Sequence, residues 1–149
     1  MEIIFLIDNE KDYPLNVDML QDISYEILKH EKISFPFNTA EISLVITDDE
    51  EMKEINRLYR KIDSTTDVLS FPINDGKDIK SNILGDIVIS YDKAKSQSVE
   101  NECTIEEEIA FLFIHGLLHL LGYDHDSSEV DEKEMFEMQE DFFQKFFNK

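Results

Sequence analysis

The stretch Ile109-Ala-Phe-Leu-Phe-Ile-His115-Gly-Leu-Leu-His119-Leu-Leu121 constrains this chain more than any other part of it. It is apolar on every side except at two histidines, and a helix that is hydrophobic all round has to be buried. It falls short of the ~20 residues that a membrane span needs, so it predicts the core helix of a globular domain. Thr104 can cap its start, with Glu107 at the capping-box spacing, and Gly122 follows where helices commonly end in a left-handed residue. Residues four apart lie on one helix face, about one turn (~6 Å) apart along the axis. His115 and His119 therefore leave the core helix side by side.

A buried helix needs a fold to bury it. The remaining pattern predicts an α+β domain spanning 1–149, with a mixed four-stranded sheet packed with about five helices and the histidine helix central. Glu2 to Ile7 reads as a strand. A helix from Pro14 to about Lys29 follows, with Val17, Leu20, Ile23 and Ile27 on its buried side. Glu41 to Thr47 alternates as a second strand through Ile42, Leu44 and Ile46. Thr47 or Asp48 then caps a helix whose apolar stripe is Met52, Ile55, Tyr59 and Ile62. Asp67 to Pro72 and Ile83 to Ser90 are strands close enough in sequence to pair antiparallel, whereas the first strand-helix-strand unit suggests a parallel crossover. Asp92 to Val99 is a polar helix. The last helix, about Glu129 to Phe147, buries Met135, Met138, Phe142 and Phe146.

Beyond Gly122 the turn can swing Asp124 and His125 back toward the first two histidines. Three imidazoles from two directions leave a fourth tetrahedral position open, the mark of a catalytic metal site. Neutral nitrogen donors suit zinc (Zn2+) best, with nickel, copper and iron accepting the same set. The bland alternative, ordinary core histidines, fits one such residue better than three at this spacing. The pattern His-x-x-x-His-x-x-Gly-x-x-His is also that of the metzincin proteases, in which glutamate follows the first histidine as general base. Here that residue is Gly116, so peptide hydrolysis loses its proton acceptor.

With 34 acidic against 14 basic residues, the net charge of -20 repels phosphates and membranes on average. A chain of this charge that handles nucleic acid needs a local basic face or a helping partner. The single Cys103 cannot form an internal disulfide, and the N-terminus lacks the basic region of a signal peptide. Both point to the cytoplasm.

The segment His115-Gly-Leu-Leu-His-Leu-Leu-Gly-Tyr-Asp-His125 resembles the signature of the YbeY family of bacterial rRNA maturation endoribonucleases. Asn56-Arg57-Leu58-Tyr59-Arg60, followed by Thr66-Asp67-Val68-Leu69-Ser70-Phe71-Pro72, resembles that family's first block, and Leu84-Gly85-Asp86-Ile87 its second. The resemblance implies one zinc on His115, His119 and His125, and metal-dependent cleavage of single-stranded RNA. It also implies a role in maturing the 3′ end of small-subunit ribosomal RNA and in ribosome quality control. The family's functionally important arginine falls on Arg60. Ribosomal RNA and the small subunit are the implied partners, with a ribosomal protein or an assembly GTPase as helper and no membrane.

With Ile55 set toward the core, a step of 100° per residue groups Lys53, Arg57 and Arg60 on the opposite face. That stripe is either a solvated surface or a phosphate clamp with Arg60 as bidentate donor. The resemblance favours the clamp for Arg60. Lys77 and Lys80 would extend a basic rim. Asp124 would orient a histidine, or make a local turn bond. Asp86, between apolar neighbours, reads as a buried anchor, Asp67 as a loop brace and His30 as a surface residue. Two rivals to the nuclease remain: a metallohydrolase of peptides or small molecules, and a non-catalytic ribosome-assembly factor with a structural metal.

Overall fold

A computed structural model describes residues 1–123 and 129–147. Alternation in the strand sequences settles which face of the sheet becomes the core. The strands are β1 (Glu2–Asp8), β2 (Thr39–Thr47), β3 (Val68–Pro72) and β4 (Ile83–Ser90), in the order β1-β2-β4-β3. β1, β2 and β4 run parallel and β3 pairs antiparallel with β4, so the sheet is mixed. Ala40, Ile42, Leu44 and Ile46 of β2 join Leu84, Ile87 and Ile89 of β4 in the main core. Their helical partners come from α1 (Val17–Leu28), α4 (Ile105–Leu120) and α5 (Glu129–Phe147).

The opposite face holds a much smaller cluster. Met52 of α2 (Asp49–Arg60) packs with Leu69 and Val88, flanked by Val45, Ile55 and Phe71. The remaining helix, α3 (Tyr91–Glu100), starts at once after β4, with the Ser90 hydroxyl accepting from the Lys93 N–H. The α+β expectation holds, with four strands and five helices among the described residues. None of these helices is long and apolar enough to cross a membrane.

Helix caps fall where the sequence placed them, with one shift. Thr104 and Glu107 form the reciprocal capping box of α4, and Asp48 caps α2 by accepting from the Glu51 N–H at 2.8 Å. α1 begins at Val17 and not at Pro14, because the Asn16 side chain accepts from the Met19 N–H and ends the preceding loop there. Three packing expectations need correction. Tyr59 and Ile62 were expected in the buried stripe of α2, yet they are 71% and 49% exposed, while Asn56 is buried beside Met52. The helix is rotated relative to the apolar reading because the buried Asn56 amide donates to the Ser64 carbonyl at 2.9 Å and ties down the loop after it. Asp86 is exposed and anchors nothing in the core, since Gly85 coincides with a register shift and the carboxylate takes the outer face. His30 is half-buried, meeting Phe142 edge-on.

Candidate active site

α4 is fixed by the core over nearly its whole length. Phe113, Ile114, Leu117 and Leu118 are fully buried, and His115 and His119 come out half-buried at its rim. Their Nε2 atoms lie 3.1 Å apart, with the rings nearly perpendicular at 73°. On the other side of the first ring, His115 Nδ1 is 2.9 Å from the Gln139 side-chain oxygen of α5. An amide oxygen only accepts, so Nδ1 carries the proton and Nε2 of His115 presents a lone pair.

This spacing suits a shared metal ion. Two nitrogens, each about 2.0–2.1 Å from a tetrahedral centre, sit about 3.4 Å apart, close to the distance already present. No group of three or more histidine, cysteine, aspartate or glutamate donors placed to hold a metal ion occurs among the described residues. His125 and Asp124 lie outside the described residues.

Two glycines make the geometry. At Gly116 an added Cβ would come within 2.9 Å of Ile87 Cγ2 and 3.3 Å of the Ser70 hydroxyl, which donates to the Gly116 carbonyl. The helix thus presses onto the sheet at the very position where a protease would carry its glutamate. Gly122 has φ +97°, and its backbone closes a Schellman motif: its N–H donates to His119 and that of Tyr123 to Leu118, both at 3.0 Å. A Cβ there would also strike the backbone of Gly76 at 2.3 Å. The turn after the histidines is therefore clamped against the loop between β3 and β4.

Around the histidines lies a cleft of about 550 Å³, lined among others by Asn56, Arg60, Asp67 and Ser70. It wraps the free edge of β3, with α4 on one side and the end of α2 on the other. Arg60 reaches it because it is eight residues after Met52 and four after Asn56, on the inward face of α2 and one turn past its last buried residue. Among the described residues its guanidinium has no ion-pair partner.

A model of the endoribonuclease YbeY family matches residues 6–147. The chain belongs to that family. It is 51% identical to the endoribonuclease YbeY of Acetivibrio thermocellus over 126 residues, covering 76% of this chain and 75% of that protein. To the endoribonuclease YbeY of Acholeplasma laidlawii it is 41% identical, with 91% and 90% covered. The fold is similar to the solution structure of TM1509 from Thermotoga maritima, with a TM-score of 0.64 at 26% identity over 98% of this chain and 89% of that one.

The other basic residues of this YbeY-family chain stand elsewhere. Arg57 is ion-paired with Glu54 one turn back on the exposed face, and the pairing holds the Glu54 carboxyl below its usual range. Lys53 lies 4.0 Å from Asp63, both exposed. Neither lines the cleft, so the stripe expected of Lys53, Arg57 and Arg60 on one outward face is divided: α2 is turned to bury Asn56, which brings Arg60 to the cleft and leaves the other two on the exposed side. Lys77 sits over the Tyr123 ring at 4.3 Å, and Lys80 is 3.4 Å from Asp78. Asp67 braces its loop, accepting from the Val68 N–H at 2.7 Å and from Gln97 at 3.3 Å. Sequence reasoning passed over Gln139. The available signal was an amide inside the seam Met135, Met138, Phe142, where every other residue is apolar.

Proposed function

We propose that this chain is a zinc-dependent endoribonuclease that cuts single-stranded RNA, with the ion held by His115, His119 and His125. Its place would be the maturation of small-subunit ribosomal RNA and ribosome quality control in the cytoplasm. Membership of the endoribonuclease YbeY family supports the reaction class. The observation that carries the metal reading is the pair of Nε2 atoms 3.1 Å apart, one of them held as a lone pair by Gln139. When bound, the ion supplies Lewis-acid stabilisation of charge on a phosphoryl oxygen.

The chain's own residues supply the rest. Arg60, exposed to the cleft, donates a fork of N–H groups that matches a phosphate and offsets the charge that grows as it is attacked. Position 116 is closed to any general base by its contact with Ile87. The basic surface is small against a net charge of -20, so affinity for free RNA is weak and falls steeply with salt. A basic partner on the small subunit, a ribosomal protein or an assembly GTPase, then delivers the strand.

The test is cleavage of a single-stranded RNA by the zinc-loaded protein and its Arg60→Ala variant, with zinc content measured on both. Loss of cleavage at unchanged zinc content supports the nuclease. Full cleavage by the variant removes Arg60 from the site, and hydrolysis of peptides with RNA left intact overturns the reading. A 2′,3′-cyclic phosphate on the product identifies the neighbouring hydroxyl as nucleophile.

A further inference from the structure

Gln139 is 6% exposed in a seam of α5 that is otherwise methionine and phenylalanine. Burying an amide without a partner is unfavourable, so an amide kept in such a seam has a bond that offsets its lost hydration. That bond runs from His115 Nδ1 to the Gln139 oxygen at 2.9 Å. We infer that Gln139 is a positioning residue for the histidine centre, holding His115 in the one neutral tautomer whose Nε2 faces a metal ion. The inference rests on the zinc reading above and deepens it.

A neutral imidazole carries one ring proton. With that proton engaged on Nδ1, His115 Nε2 keeps its lone pair on the side where His119 Nε2 stands 3.1 Å away. The same bond links residues 24 apart in sequence, across the Gly122 turn. It makes the docking of α5 and the orientation of the first histidine a single event.

An acceptor on the far nitrogen of a ligating histidine fixes its ring and its tautomer, and its removal typically weakens metal binding about 10- to 100-fold. Gln139→Leu fills the seam and removes the acceptor, so zinc affinity falls by that factor. Gln139→Glu keeps an acceptor at the same place and brings affinity back to the wild-type level or above it. An amide that merely packed α5 would show the same affinity loss in both variants.

The experiment is competition of each protein with a chromophoric chelator for zinc, run on wild type, His119→Ala, Gln139→Leu and Gln139→Glu. Alongside it, a long-range proton–nitrogen correlation spectrum of metal-free wild type reads which His115 nitrogen is protonated. Weak binding by the leucine variant, recovery in the glutamate variant and a proton on Nδ1 are expected. Wild-type affinity in Gln139→Leu, equal loss in both variants, or a proton on Nε2 overturns the inference. If wild type and His119→Ala hold zinc equally weakly, the zinc reading fails, and the spectrum still decides whether Gln139 sets the ring.

Discussion

Two helices flank the cleft from opposite faces of the sheet, and they are built on opposite terms. α4 is buried almost throughout, capped by a reciprocal box at one end and closed by a Schellman motif at the other. α2 buries only Met52 and Asn56, half-buries Asp49 and Ile55, and shows the rest of its length to water. The histidines therefore sit on the most over-determined element of the fold, and Arg60 on one of the least. A metal centre of the kind proposed tolerates little displacement of its ligands, whereas an arginine at the end of a mostly exposed helix can adjust to a phosphate. On that proposal the site pairs a fixed half with an adjustable half.

The contrast can be attacked from the buried side first. Phe113→Ala empties a fully buried aromatic position of α4 and should cost about 3–5 kcal/mol, read by denaturant unfolding. A loss under 1 kcal/mol would mean that α4 is not the rigid half. On the adjustable side, Arg60→Ala should lower the turnover of RNA by about 10²- to 10³-fold and leave the melting temperature alone. A parallel fall in stability would make Arg60 a structural residue and erase the distinction.

Gly116→Glu recreates the protease pattern, and its outcome sharpens the comparison. The Cβ would press on Ile87, so the variant should be destabilised by about 1–3 kcal/mol and gain no peptidase activity. Glu108 gives a smaller effect with a defined sign. Burial pushes its carboxyl up from the usual range, only partly opposed by the hydrogen bond from Asn101, with the Asp67 charge adding to the rise. A folded-state pKa above the unfolded one means stability that is full below the unfolded value and lost as pH rises through the folded one. Glu108→Gln, which keeps an acceptor for Asn101, should thus melt higher than wild type at neutral pH, with the gap closing on acidification toward pH about 4. Least of all, Arg57→Ala breaks an exposed pair with Glu54 and should reduce RNA cleavage less than Arg60→Ala does.

The same contrast explains what the sequence could tell. α4 was legible in full because core burial, the capping box, the glycine stop and the histidine spacing all agree. The orientation of α2 was misjudged because its apolar residues are few, and a buried asparagine, invisible to a hydrophobic pattern, decides its rotation. Asp86 was misplaced for a related reason: the register shift beside Gly85 interrupts simple alternation. Arg60 was singled out through the family motif and the helical wheel, but its entry into the cleft depends on where α2 ends, with Lys61 in a left-handed conformation. Gln139 needed the tertiary structure, since it meets His115 from a different helix.

A crystal structure of the protein grown with one equivalent of zinc and phased on the zinc edge tests the proposed centre most directly. A single ion is expected about 2.0–2.1 Å from Nε2 of both His115 and His119, with His125 as third ligand and solvent on the side that faces Arg60. An ion bound elsewhere, or a protein side chain in that fourth place, would contradict it.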